Sequence, residues 1–258
     1  MTVDQRRALA EVWTDREAAE LYRYRAPYPE PVFETLRRLS VEPPVVLDVG
    51  AGTGAVARRV LSFAARVDAI EPSAAMLAEG RGLPGGDDPR IRWIRGTAES
   101  APLDPPYGLI TCGQSLHWMD HEVVMPRFAA ALAPGGVLAA LDRDEEYAPA
   151  WRAQLVTIIQ RYSPLEKKPF FVDLFGELQR RGLFERLGFR RSSVVPLVEP
   201  VDDLIRSLQS TSTLSRVTLG PRTDEFADEV RALFRRLGVE RAVLFVAGDV
   251  VWGRPLRP

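Results

Sequence analysis

The chain has 258 residues, 46% of them hydrophobic, enough for one α/β domain with insertions or for two small domains. Its formal net charge is −1, which lacks the basic footprint that phosphate-backbone binders need, so no nucleic-acid partner is expected. A single cysteine, Cys112, excludes an internal disulfide, and no Cys/His spacing suggests zinc. A charged N-terminus (MTVDQRRALAEVW) and the lack of any long apolar run point to a cytoplasmic protein without a membrane partner.

From residue 45 onward, short apolar runs alternate with helical spacing, the pattern of βαβ units and a parallel sheet. VVLDVG (45–50) is predicted as a buried strand, and GAGTG leads from it into a helix with Val56, Val60, Leu61 and Ala64 on one face. VDAIEP (67–72) is the second strand, and Ser73 is the N-cap of the helix after it. IRWIRG (91–96), YGLITCGQS (107–115) and VLAALDR (137–143) follow as strands, the last after an Ala-rich helix that stops at Pro134-Gly135-Gly136. Beyond them, 148–162 and 173–182 read as helices, FRRSSVVPLV (189–198) as a sixth strand, and RAVLFVAGDVVWG (241–253) as one or two more. Between these last strands lies DEFADEVRALFRRL, a helix with Phe226, Val230, Leu233, Phe234 and Leu237 on its apolar face.

The glycines of Gly50-Ala51-Gly52-Thr53-Gly54 let the backbone turn sharply after a strand that carries Asp48, and let a ligand approach closely. Glu71 ends the next strand, seventeen residues after Gly54. A carboxylate there accepts both ribose hydroxyls of a nucleoside, whether in NAD or in S-adenosylmethionine, so these residues alone leave two cofactors open.

The ordered run VVLDVGAGTGAVARRV, VDAIEPSAAML, GTAESAPL, QSLHWMD and LAPGGVLA resembles the class I S-adenosylmethionine-dependent methyltransferases. It looks closest to the small-molecule branch that contains trans-aconitate methyltransferase, over roughly residues 20 to 145. The resemblance implies an α/β fold: a doubly wound, mostly parallel, seven-stranded sheet with a helical lid. It implies one domain over 1–258, with a cofactor-binding core at about 40–145 and 176–258 and lid elements at about 1–30, 146–175 and 200–238. It also implies that Asp48, Gly50, Gly52 and Gly54 line the methionine and ribose of S-adenosylmethionine, that Glu71 holds the ribose, and that Gln114 faces the sulfonium. Ala98 is expected to meet the adenine edge through its N–H. Many relatives have an acid just before that alanine, where this chain has Thr97, and Glu99 is the possible substitute. Many also begin the fourth strand with Asp, where this chain has Gly108. Tyr22, Arg25 and Tyr28, in YRYRAPYPEPVFETL, match an entry helix that closes over the cofactor's carboxylate.

Asp104-Pro105-Pro106-Tyr107 has the form of the adenine-methylating motif of DNA enzymes, in which the tetrapeptide follows the fourth strand. Here it precedes that strand, at the end of the sheet away from ligands, so a rigid turn is expected instead. The strand's other end carries Gln114, Ser115, His117 and Trp118. His117 is the candidate general base or hydrogen-bond donor, and Trp118 a pocket wall. His121 is expected to open the next helix on the surface. Acceptor-side candidates are Arg206 and Arg216, with aromatic residues Trp13, Tyr22, Trp151, Tyr162, Phe170 and Phe171 as a roof. No metal is expected. The reading is methyl transfer to a small molecule, more to oxygen (carboxylate or hydroxyl) than to nitrogen or carbon. The alternative is a non-catalytic cofactor-binding module used in regulation or assembly, and a nicotinamide oxidoreductase is a third class.

Overall fold

The computed structural model describes residues 14–163 and 174–257, so Trp13, Phe170 and Phe171 lie outside the described residues. Its chain divides into two compact units. Tyr28–Arg143, the described part of 169–193, and the chain from Ala247 onward form one; residues up to Pro27, the described part of 144–168, and Val194–Val246 form the other. Two of the boundaries fall inside strands, Leu132–Tyr147 and Arg241–Pro255.

The larger unit is built on β1 (Val45–Val49), β2 (Arg66–Glu71), β3 (Ile91–Arg95), β4 (Tyr107–Gly113), β5 (Leu132–Tyr147, up to Arg143 here), β6 (Phe184–Arg191) and the second part of β8 (Arg241–Pro255). Their order is β3-β2-β1-β4-β5-β8-β6. The first five pair in parallel, and β6 pairs antiparallel with β8. Strands β1 and β4 are nearly continuous runs of buried residues because both faces of a parallel sheet are covered. One face packs Leu47, Val49, Ile110, Leu116, Met125, Phe128 and Leu138 together; the other packs Phe33, Leu36, Val46, Val60, Val67, Leu109 and Leu141. The covering helices are α2 (Glu30–Leu39), α3 (Ala57–Val60), α4 (Ala74–Gly82), α5 (His121–Ala131) and α7 (Leu174–Arg180). Ser73 caps α4, its hydroxyl accepting from the Met76 N–H, as its position after β2 predicts.

The smaller unit contains α1 (Arg16–Leu21), α6 (Pro149–Tyr162), α8 (Val201–Gln209), α9 (Arg216–Leu219), α10 (Thr223–Arg236), and β7 (Val195–Pro200) paired antiparallel with Arg241–Val246 of β8. Its core is its own: Trp151, Leu155, Leu204, Leu208, Phe226, Val230, Phe234 and Leu244. The apolar stripe expected on 224–237 is buried there through Phe226, Val230, Leu233 and Phe234, whereas Leu237, just past the helix, is exposed.

Three expectations change. The strand expected over 189–198 is two strands, β6 and β7, each pairing with a different stretch of β8; the chain breaks at Ser192, whose hydroxyl accepts from the Gly248 N–H at 2.9 Å. The described residues therefore carry eight strands rather than seven. The helix after GAGTG is only one turn, Ala57–Val60, because the glycine turn occupies the residues before it. The helix before the fifth strand ends at Ala131, and Pro134-Gly135-Gly136 already belong to β5.

The departure at Gly108 now has a physical reason. A Cβ there would lie 1.9 Å from the Val41 carbonyl oxygen and 2.4 Å from that of Pro43, so any side chain would displace the segment leading into β1.

The Asp-Pro-Pro-Tyr tetrapeptide does sit at the amino end of β4, where it acts as a clamp. Asp104 pairs with Arg66 at 2.9 Å and its N–H donates to the Tyr107 hydroxyl at 2.8 Å. Tyr107 in turn donates to Asp68 Oδ2 at 2.7 Å, which also accepts from Arg92 at 2.7 Å. Asp68 and Tyr107 are fully buried, so each of these donors replaces water that the carboxylate has lost. Tyr107→Phe should destabilise the fold by about 1–3 kcal/mol, because it leaves Asp68 short of a donor and the Asp104 N–H without its acceptor. Thermal unfolding should then show Tm lower by roughly 3–10 °C, and an unchanged Tm would show the clamp to be dispensable.

Candidate functional site

The turn after β1 holds Gly50, Gly52 and Gly54 at φ of +66°, +56° and +77°, the left-handed region that glycine enters without strain. Two of these glycines are also demanded by neighbouring side chains. A Cβ on Gly50 would fall 2.5 Å from the Ser115 Cβ, and one on Gly54 would fall 2.5 Å from the Trp93 ring. Ser115 is held in that position by donating to the Val49 carbonyl at 2.5 Å, and Trp93 by donating from Nε1 to Gly86 O at 2.9 Å. The turn is therefore shaped by β3 and β4 as well as by its own sequence.

Asp48 is buried beneath this turn. Its Oδ2 accepts from the Ala57 N–H at 3.1 Å and its Oδ1 from the Thr111 hydroxyl at 2.8 Å. Burial pushes its carboxyl up to about 7; the two hydrogen bonds oppose this and the Glu71 charge adds to it. Asp48 thus fastens the start of α3 to β4.

Glu71 lies at the end of β2, with Oε2 accepting from the Gly52 N–H and Oε1 from the Ser73 N–H, both at 2.9 Å. Burial raises its carboxyl and these two bonds pull it back. A carboxylate offers about four lone-pair positions, so one remains on each oxygen. Two parallel acceptors side by side match a vicinal diol such as the 2′- and 3′-hydroxyls of a ribose.

After β3 the chain turns at Thr97, whose hydroxyl bonds that of Ser100 at 3.0 Å, and Ala98 is buried. Glu99 Oε1 accepts from the Asp120 N–H at 2.9 Å, which ties this loop to the segment after β4. The side chains of Thr97 and Glu99 are thus both engaged within the chain.

β4 ends at Gly113, and Gln114 follows at φ +52°, the one non-glycine residue with positive φ among the described residues. Its N–H donates to Leu141 O at 2.9 Å and its Nε2 to Asp142 Oδ1 at 2.8 Å. A 3-10 turn, Leu116–Trp118, then presents half-buried His117 and Trp118 with their rings 4.8 Å apart, and His117 Nδ1 is shielded from solvent. His121 does open α5, but it is buried rather than on the surface; its Nε2 bonds the Leu116 carbonyl at 3.0 Å and steadies that turn. Tyr28 is also buried in this unit, edge-on to Phe33, with the Arg143 guanidinium 5.4 Å over its ring.

Of the remaining candidates, Tyr22, Arg25 and Arg206 belong to the smaller unit. Arg25 donates to Ser210 Oγ at 2.9 Å, to Ser210 O at 3.1 Å and to the Tyr22 hydroxyl at 3.1 Å, and lies 4.2 Å over the Tyr22 ring. Arg206 pairs with Asp203 at 2.7 Å, and Arg216 with Glu17 at 2.8 Å. Among the described residues, no group of three His, Cys, Asp or Glu side chains is placed to share a metal ion.

Thr111, Trp93 and Asp142 join the site without having been singled out in the sequence. The one signal for Asp142 is a carboxylate closing the apolar run VLAAL.

Residues 46–136 match the methyltransferase domain family. An uncharacterized methyltransferase of Mycobacterium tuberculosis is 31% identical over 52% of this chain and 55% of its own length. A trans-aconitate 2-methyltransferase of Variovorax paradoxus is 36% identical over 50% of this chain and 51% of its own. The chain thus spans about half the length of the curated relatives it matches. A solved structure from Anaeromyxobacter dehalogenans, assigned by name only to the type II methyltransferases, superposes with a TM-score of 0.66. The match covers 89% of this chain and 97% of that one at 23% identity, which establishes the shared fold. Residues 46–136 are thus similar to the methyltransferase domain family and to trans-aconitate 2-methyltransferase, and the chain shares its fold with a solved methyltransferase structure.

Proposed function

We propose that the protein transfers the methyl group of S-adenosylmethionine to a small molecule, at an oxygen atom. The observation that carries the cofactor side is Glu71, with one lone-pair position left on each oxygen beside a turn whose N–H groups and left-handed glycines leave room for a ligand. In this reading Glu71 takes the ribose hydroxyls, the Gly50–Gly54 turn lies along the methionine and ribose, and the backbone at Ala98 meets the adenine. Thr97 and Glu99 shape that loop through the bonds described above.

When bound, S-adenosylmethionine supplies a sulfonium-activated methyl group for in-line displacement by the acceptor. The residues of this chain have to hold the acceptor in line and keep water out, since alignment alone is worth up to roughly 7–11 kcal/mol of barrier. His117 and Trp118, carried on the turn after β4, lie at the carboxyl end of the parallel strands, where doubly wound sheets bind their ligands. Trp118 forms an apolar wall. His117 hydrogen-bonds the acceptor, as a base toward a hydroxyl or as a donor toward a carboxylate. An oxygen acceptor is supported by the relative named for trans-aconitate, a polycarboxylate. The alternative of a cofactor-binding module without transfer separates from this reading by turnover.

S-adenosylhomocysteine at about a hundred times its Kd should add about 2.7 kcal/mol of stability, visible as a higher Tm. In Glu71→Gln, calorimetry should show its Kd weakened at least about tenfold, the loss of roughly 1.4 kcal/mol. If the wild type bound neither S-adenosylmethionine nor S-adenosylhomocysteine, the proposal would be wrong. His117→Ala should leave the Kd of S-adenosylhomocysteine within about twofold while lowering kcat/KM for the acceptor at least about tenfold. A weakened cofactor Kd with unchanged acceptor kinetics would instead move His117 to the cofactor side.

A further inference from the structure

β5 carries a carboxylate, at Asp142 just before the strand leaves the larger unit, that the proposed function has not used. Asp142 is bonded through one oxygen only. Oδ1 accepts from Gln114 Nε2 at 2.8 Å and from the Arg143 N–H at 2.8 Å, whereas Oδ2 has no hydrogen-bond partner among the described residues. Asp142 is half-buried, and no cation among the described residues lies within ion-pair distance of it.

Its surroundings keep it that way. On its own strand, the Arg143 guanidinium lies over the Tyr28 ring at 5.4 Å. On β8, Asp249 is the nearby charge, and it pairs with Arg191 of β6 at 2.9 Å. From β4, Gln114 brings an uncharged amide. Burial raises the Asp142 carboxyl, the Gln114 and Arg143 N–H bonds lower it, the Asp249 charge raises it and the Arg143 charge lowers it, the guanidinium acting from its place over the Tyr28 ring.

The backbone shows that this arrangement is held against a local preference. Gln114 sits at φ +52°, where a non-glycine residue is strained, and it is kept there by its N–H bond to Leu141 O and its side-chain bond to Asp142. The same residue leads directly into the turn that carries His117 and Trp118. The strained residue therefore fixes Asp142 to the acceptor-side end of β4.

Resting on the methyltransferase reading, we propose that Asp142 faces the acceptor, and that its Oδ2 accepts the hydrogen bond, and then the proton, of a hydroxyl-bearing small molecule. A carboxylate acceptor is already ionised and would be repelled by Asp142, whereas a hydroxyl acceptor needs this group, so on this inference the acceptor differs in class from that of the relative named for trans-aconitate. The acceptor O–H bond breaks, the proton passes to Asp142, and the electron pair left on oxygen forms the new bond to the methyl carbon. The carbon–sulfur pair departs with sulfur. With Asp142 taking the proton, His117 is not the base toward the hydroxyl but a hydrogen-bond donor to its oxygen.

A binding experiment tests this without a known acceptor. Sinefungin carries an amine where S-adenosylmethionine carries its methyl group, so a carboxylate facing that position favours it over S-adenosylhomocysteine. The Kd of S-adenosylhomocysteine divided by that of sinefungin should fall at least about fivefold in Asp142→Asn and less in Asp142→Glu, with the Kd of S-adenosylhomocysteine itself unchanged in both. Asn keeps an oxygen to accept from Gln114, and the unchanged Kd certifies the fold. A ratio unaffected in Asp142→Asn, or a parallel loss for both ligands, overturns the assignment while leaving the methyltransferase reading in place. Failure of the wild type to bind either ligand removes that reading, and this one with it. In turnover with matched alcohols, phenols and carboxylic acids, methyl ethers should form, with kcat in Asp142→Asn lower by about a hundredfold. Methyl esters formed equally fast by the variant would overturn the hydroxyl class.

Discussion

The carboxyl end of the larger unit's sheet depends on one constraint: a carboxylate withdrawn from water has to be given donors by the chain. Asp48 receives the Ala57 N–H and the Thr111 hydroxyl, and Glu71 receives the Gly52 and Ser73 N–H groups. Those N–H groups belong to the glycine turn and to the first residues of two helices, so satisfying the carboxylates also fixes the course of the backbone around them. Glu71 is consequently oriented by folding itself. A ligand that meets it does not have to freeze a mobile side chain, which is the ordinary way that preorganisation strengthens binding.

The glycine turn extends the same constraint to two more strands. Ser115 closes on Gly50 from the loop after β4, and Trp93 closes on Gly54 from β3. Replacing either glycine forces a neighbour to move, and Ser115 cannot shift without losing its bond to the Val49 carbonyl. A motif that looks local in sequence is thus a junction of β1, β3 and β4. Glu99, bonded to the Asp120 N–H, adds the loop after β3 to the loop after β4, so the proposed adenine and acceptor ends are mechanically joined.

How far these features can be read from sequence follows from how local their causes are. Strands β1, β2, β4 and β5 are legible because covering a parallel sheet on both faces writes continuous apolar runs, and Ser73 is legible because an N-cap acts within three residues. Glu71 follows from its spacing after the turn. The division between β6 and β7 is hidden because both strands are largely exposed, so no alternation marks where the pairing with β8 changes. His121 reads as a surface residue, since nothing nearby announces that its ring reaches back to the Leu116 carbonyl. Gly108 is unreadable for the same reason: the atoms that forbid its Cβ come from Val41 and Pro43, sixty-odd residues away.

Asp48, Glu71 and Asp142 show why burial alone does not assign a role to an acid. All three are raised by desolvation, and all three accept hydrogen bonds from the chain. They differ in the capacity that remains and in where it faces. Asp48 is 1% exposed with both oxygens engaged, and it fastens the turn. Glu71 has one position left on each oxygen, a symmetrical pair suited to a diol and poorly suited to taking a proton from a single atom. Asp142 is lopsided: one oxygen is committed twice and the other not at all, in a half-buried setting where a proton can arrive and leave. The distinction between these three acids lies in their donors rather than in their residue type.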